Sequence, residues 1–415
     1  MAETPYPREL LAALPKSDLH CHLDGSLRLG TLIELARAHG VTLPSETPEG
    51  LRDLVFKESY RDLPDYLHGF AYTCAVLRDP EAIERVACEL GEDCIAEGTL
   101  YLETRFAPQL LVHDGLPLDE VLAAVDRGLD RARRAHEARP EVRAGAVPPF
   151  RYGIVACAMR MFTKGFGPYY ARLLDVLRGW PAPEVYGTAS LTLARQVVDA
   201  RDRLGLPIVG FDLAGAEAGH PASDHVEAYQ YAHKHFLKKT VHAGEAYGPT
   251  SIFQAITKLN ADRIGHGTRL FDHDAVQADD EDGRRYVQRL AEYIADRRIL
   301  LEVCITSNLQ TMPQLRRVED HPFGRMVRER LSVSICTDNR LVSRTTSTDE
   351  LLKAANAFRL TPTELRNVVL HGFKRSFHPG SYLEKRAYVR QVIDHYDAVA
   401  SRFGLPATGR GGEAS

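Results

Sequence analysis

No two cysteines in this chain stand in a Cys-x-x-Cys spacing, and that absence removes several readings at once. The seven cysteines lie at 21, 74, 88, 94, 157, 304 and 336, odd in number and mostly inside apolar runs such as Ile154-Val155-Ala156-Cys157. That pattern builds neither a disulfide framework nor a structural zinc site; it suits reduced, buried thiols in a cytoplasm. A long basic stretch is missing too. With 52 basic against 56 acidic residues the net charge is -4, which argues against nucleic acid or a membrane surface as the main partner. No apolar run reaches the roughly 20 residues of a membrane span. The start, Met1-Ala2-Glu3-Thr4-Pro5, lacks the basic-then-apolar order of a signal peptide. Internal repeats are absent, and there is one tryptophan, Trp180. These absences leave an intracellular enzyme acting on a small molecule as the expected class, with the oligomeric state undefined.

What is present is alternation. Short apolar, β-branched runs at 16–22, 99–106, 151–158, 207–213, 239–242, 262–266, 299–304 and 331–337 read as strands. Amphipathic stretches between them, including 81–97, 119–137, 187–204 and 284–297, read as helices. Eight such alternations favour an α/β fold of the (β/α)8 TIM-barrel type with helical insertions, in a single domain. The expected organisation is an N-terminal extension over 1–13, the barrel over 14–400 and an unstructured tail over 401–415, most evidently at 408–415. Residues 138–150 read as a loop, 164–186 as an insertion after strand three, and Asp279-Asp280-Glu281-Asp282 as a solvated loop.

Polar motifs fall at the C-terminal ends of the expected strands one, four, five, six and eight, the face on which such barrels place their chemistry. In an extended strand, residues two apart share a face, so His20 and His22 can grip one ion while Cys21 points away. His242 beside Glu245, His266 between two glycines, and Asp338 closing an apolar run join them. Any one histidine alone reads better as a hydrogen-bonded core residue. Imidazoles and a carboxylate together suit Zn, and less exclusively Fe, Co or Ni. A two-metal amidohydrolase needs a bridging carboxylate or modified lysine at strand four, and Phe211–Gly215 holds no lysine. A deaminase of the cytidine-deaminase fold is excluded on spacing, not on reaction, by the lack of a Pro-Cys-x-x-Cys run. His68, His113, His220, His225, His233 and His235 read as surface residues, and the role of Asp212 stays open.

Ser17-Asp18-Leu19-His20-Cys21-His22-Leu23-Asp24-Gly25-Ser26, His242-Ala243-Gly244-Glu245 and Ile264-Gly265-His266-Gly267 resemble the signatures of the adenosine deaminases. So do Phe211-Asp212-Leu213-Ala214-Gly215 and the stretches from Arg85-Val86-Ala87 to Phe106-Ala107-Pro108. The resemblance runs from about residue 14 to about residue 375. It implies one Zn2+ held by His20, His22, His242 and Asp338, with His266 taking a proton from the attacking water and orienting it. Glu245 would protonate N1 of a 6-aminopurine, while His22, Asp24, Gly215 and Asn339 would contact the substrate. Asp24 falls near the ribose 5′-hydroxyl, Gly215 near N3. The 59–77 stretch, with Tyr66 and Phe70, reads either as a lid over the pocket or as an ordinary packed helix.

One departure stands out: the family commonly carries a second carboxylate after the strand-eight ligand, and here that position is Asn339. An Asn amide donates directly to the acceptor N7 of a purine; the competing reading has it capping the loop that follows. The implied activity is hydrolytic deamination of adenosine and 2′-deoxyadenosine. The alternatives are another 6-aminopurine such as adenine or aminodeoxyfutalosine, and a non-catalytic purine-binding homologue.

Overall fold

A computed structural model describes residues 6–276 and 279–406. Its eight strands are β1 (Lys16–His22), β2 (Thr99–Phe106), β3 (Arg151–Met159), β4 (Ile208–Ala214), β5 (Lys238–Ala243), β6 (Arg263–His266), β7 (Leu300–Val303) and β8 (Val333–Ile335). They lie side by side in chain order, every pairing parallel. Parallel strands covered by helices are buried on both faces, and β1, β2 and β4 have no exposed residue.

The barrel closes between β8 and β1. Asp338 N–H donates to His20 O at 2.7 Å, and His22 N–H donates to Asp338 O at 2.7 Å. The seam is therefore sewn by residues that the sequence assigns to chemistry. Helices fill the connections, among them Pro80–Ala96, Leu118–Glu137, Ala182–Leu204 and Asp280–Arg297. The Asp79 side chain accepts from Ala82 N–H to start the first of these, and Pro80 follows at a position where no N–H is needed.

Several expectations change. The acidic run at 279–282 is no loop: Asp279 caps the helix Asp280–Arg297, accepting from Asp282 N–H, and its acids face the positive helix end. Residues 138–150 include a short helix, Pro140–Arg143. The expected insertion at 164–186 holds the helix Pro168–Val176 and the start of Ala182–Leu204. There Phe162, Tyr170, Val185 and Ala189 form a small core of their own. The N-terminal extension is no appendage, since the helix Arg8–Ala13 buries Leu10 and Leu11 in the main core. The unstructured tail does not begin at 401, because the last helix, Tyr382–Arg402, runs past it and Leu405 packs on the core. Positions 408–415 lie outside the described residues.

Candidate active site

Strand ends gather the motifs at one mouth of the barrel. His20 and His22 stand on β1, His242 on β5 and His266 ends β6, while Asp338 follows β8. Nε2 of His22 is 3.2 Å from Nε2 of His242 and 3.5 Å from Oδ1 of Asp338, and Nε2 of His20 is also 3.5 Å from that oxygen. Ligand atoms of His20, His242, His266 and Asp338 all lie within 4.8 Å of one another. Five groups thus converge, one more than a tetrahedral protein ligand set uses. Backbone geometry makes the convergence possible: His266 (φ 62) and Asp338 (φ 61) sit in the left-handed region. Such non-glycine strain costs about 1–3 kcal/mol and collects at functional sites.

The far nitrogens of the rings decide their roles. Nδ1 of His20 is 3.0 Å from Glu302, and Nδ1 of His242 is 2.9 Å from Asp212. Each carboxylate takes an Nδ1–H and leaves the Nε2 lone pair directed at the cluster, the usual arrangement of metal-binding histidines. Arg105, fully buried, ties the two carboxylates together, donating to Asp212 at 3.0 Å and to Glu302 at 2.7 Å. Burial acts to raise the Asp212 carboxyl, but His242 and Arg105 outweigh it and hold it well below its ordinary value. Asp212 therefore orients His242. Ser307 donates to the second oxygen of Asp338.

His266 is wired differently. Phe323 N–H donates to Nδ1 of His321 at 3.0 Å, so a neutral His321 carries its proton on Nε2. That nitrogen faces Oδ1 of Asn308 at 3.1 Å, and Nδ2 of Asn308 faces Nδ1 of His266 at 3.1 Å. The chain leaves a neutral His266 with its proton on Nε2, pointing into the site as a donor. Burial, then the neighbouring His20, push its pKa well below the ordinary value, so it is neutral at pH 7. In this tautomer Nε2 of His266 carries a proton and turns no lone pair toward His20, His242 and Asp338, although the ring lies among them.

Glu245 is buried, with Oε1 3.6 Å from Nε2 of His266. Burial raises its carboxyl to about 8; Asp338 and Glu217 push the same way, against His242. Its loop is gripped by Glu217, which accepts from the N–H groups of Gly244 (2.8 Å), Glu245 (3.0 Å), Ala246 (2.7 Å) and Tyr247 (2.8 Å).

The substrate-side residues also border this mouth. Asp24 is buried with Oδ1 3.9 Å from Nδ1 of His22 and without a hydrogen-bond partner, and burial raises its carboxyl to about 7. Gly215 follows β4 at φ +95, against the Met159 side chain. The Phe70 ring stands edge-on to His22 at 6.4 Å. Asn339, 2% exposed, places Nδ2 2.8 Å from the Tyr66 hydroxyl, with Oδ1 unpartnered. Its amide lies where a Cβ on Gly25 would go, 1.9 Å from that position. The helices Leu63–Leu67 and Phe70–Ala75 cover the mouth at this point. His225 is not on the surface: it is 1% exposed, with Nδ1 2.7 Å from the Ser190 hydroxyl.

The adenosine deaminase family model matches residues 15–163 and 185–395. The chain belongs to the adenosine deaminase family. The break in that match, 164–184, coincides with the insertion that has its own small core. An adenosine deaminase of Mycolicibacterium vanbaalenii is 35% identical, the alignment covering 94% of this chain and 97% of the relative. Adenosine deaminase 1 of Streptomyces coelicolor is 36% identical, over 95% of this chain and 89% of that one. Among solved structures, the fold resembles an adenine deaminase of Arthrobacter aurescens (TM-score 0.71, 22% identity, 92% of this chain and 99% of that one). It likewise resembles a Burkholderia ambifaria amidohydrolase with bound Zn (TM-score 0.74, 19% identity, 98% and 97%).

The donor set fits the metal that the family implies. Nε2 of His20 is buried without a hydrogen-bond partner, a costly state unless a ligand takes its lone pair. Glu302, Arg105, Asn308 and Glu217 were not legible as site residues in the sequence. Only Glu217 carried a signal, as an acid two residues beyond the Phe211–Gly215 motif.

Proposed function

We propose that this protein hydrolyses adenosine and 2′-deoxyadenosine to the 6-oxo nucleosides and ammonia, using one Zn2+. The observation that carries the reading is a buried carboxyl of raised pKa, Glu245, beside a neutral His266 at the edge of a His20–His22–His242–Asp338 cluster. Those last four residues would hold the metal. A bound Zn2+ supplies a nucleophilic hydroxide at neutral pH by lowering the pKa of water to about 7.

The chain's own groups do the rest. A protonated Glu245 donates to N1 of the purine, so that C6 becomes electrophilic and the ring accepts the electrons of attack. Nε2–H of His266 holds the incoming oxygen on one face of the ring. Of the two tasks expected of His266, orientation is the one its hydrogen-bond chain supports; proton uptake would need Asn308 to turn against His321. Asn339 faces N7, Gly215 leaves room at N3, and Asp24 takes the 5′-hydroxyl. His22, whose side chain is 11% exposed, contacts substrate as well as metal. A buried Asp24 oxygen without a hydrogen-bond partner favours a ribosylated substrate over free adenine.

The seven free cysteines suit a reducing cytoplasm, and among the described residues no helix is long and apolar enough to cross a membrane. Steady-state kcat/KM on adenosine, 2′-deoxyadenosine, adenine and aminodeoxyfutalosine, with and without a chelator, tests the proposal. Preference for adenosine and loss of activity on chelation are expected. A higher kcat/KM on adenine or aminodeoxyfutalosine would replace the substrate, and no turnover by metal-loaded protein would leave only a binding role.

A further inference from the structure

Hydrogen bonds tie the cover over the mouth to the loop after β8 and to the helix Ile305–Thr311 after β7. Tyr60 donates to Val342 O at 3.0 Å, and Nε2 of Gln310 donates to Glu58 O at 3.2 Å. Between these ties, the Tyr66 hydroxyl lies 2.6 Å from the Ser343 hydroxyl and 2.8 Å from Nδ2 of Asn339. Tyr66 is 1% exposed, and burial pushes its phenol well above the ordinary value, so it keeps its proton.

A phenol has one proton to give. As the groups stand, Asn339 Nδ2 donates to Tyr66, the Tyr66 proton is left to the hydroxyls of Ser343 and Ser307, and Oδ1 of Asn339 is buried with nothing to accept. That unpartnered end lies against Gly25. Turning the amide over reverses all three groups without moving their positions. Ser343 then donates to Tyr66, Tyr66 donates to Oδ1, and Nδ2–H becomes the free end. Only this second arrangement presents a donor to an acceptor on the substrate.

We infer that Tyr66 is a positioning residue that selects which end of the Asn339 amide faces the substrate, coupling closure of the lid to recognition of the purine N7. The inference rests on the reading of Asn339 as the N7 donor. Because Tyr66 sits on the helix Leu63–Leu67, an open lid leaves the amide free to present either end, and a closed lid with an N7 acceptor fixes it. Asn339 alone therefore does not specify the contact; the pair does.

Competitive inhibition of adenosine turnover by inosine and by 7-deazainosine, in which N7 is replaced by C–H, reads the contact as a ratio of inhibition constants. A buried hydrogen bond of this kind is expected to favour inosine by about tenfold in the parent protein. A parent ratio near one overturns the Asn339 reading and the inference with it, before any variant is made. Tyr66→Phe is expected to bring the ratio near one by weakening inosine and leaving 7-deazainosine unchanged. An unaltered ratio, or both inhibitors weakening in step as a merely loosened lid would cause, overturns the inference while leaving the N7 contact in place. Ser343→Ala works in the opposite direction, because it removes one of the two hydroxyls, Ser343 and Ser307, that compete with Oδ1 of Asn339 for the Tyr66 proton. Its ratio should equal or exceed the parent's, and a fall to near one overturns the inference even if Tyr66→Phe does not fold.

Discussion

Arg105 shows how much of this site depends on residues that never meet substrate. A single guanidinium pairs with both Asp212 and Glu302, Arg263 adds a second cation at Glu302, and those two carboxylates hold the rings of His242 and His20. Arg105→Lys keeps the charge but lacks the planar fork needed to reach both partners. It is expected to weaken metal retention by about 10–100-fold, the range seen when groups behind the ligands are removed. Competition with a chelator measures this, with circular dichroism confirming the fold. Glu245 makes a separate prediction. Its pKa is raised to about 8, so the acid form predominates below that pH and is lost above it. The limb of kcat/KM governed by this acid should fall about tenfold per pH unit above about 8. Glu245→Gln, which cannot release a proton, should lower kcat by about 10²–10⁴-fold with metal content unchanged. A variant retaining parental kcat would remove Glu245 from the chemistry.

Elements differ in how far the sequence discloses them. Each strand is a short apolar run set off by amphipathic stretches, and five of them end in polar motifs, so all eight were legible; β4, expected at 207–213, occupies Ile208–Ala214. Charges inside strands were not. Glu302 sits in Leu300–Val303 and Arg105 in Thr99–Phe106, both fully buried, and their partners lie 197 residues apart in the chain. Periodicity gives the face a residue takes but not what stands across the barrel from it. The acidic cap at Asp279 was readable in principle by capping rules, and was obscured because a run of acids also suits a solvated loop. The loop after β5 carries its own test. Glu217 collects four consecutive backbone N–H groups there, and an amide in its place offers one acceptor oxygen instead of two. Glu217→Gln is therefore expected to shift Glu245 and lower kcat/KM by about 10–100-fold, since misplacement by about 1 Å can cost 10² in rate. Metal content, which the ligand set of His20, His22, His242 and Asp338 would fix from positions outside the loop, should be unchanged.

At the scale of the whole barrel, chemistry and closure share one seam. His20 and His22 come from the first strand and Asp338 from the end of the last, and their backbones make the 2.7 Å hydrogen bonds that join β1 to β8. An ion held by these side chains would cross the join and tie it from the inside. Anything that binds the folded state alone stabilises it by about 2.7 kcal/mol at a hundredfold excess over its Kd, and by about 4.1 at a thousandfold. Unfolding entropy grows with chain length, so for a protein of 415 residues that gain corresponds to a rise in Tm of about 3–5 °C. Stripping the metal should lower Tm by that amount. It should also speed amide hydrogen exchange first at His22 and Asp338, before the centres of β2, β3 and β4. Uniform loss of protection around the barrel would show instead that the ion acts on catalysis without stapling the fold.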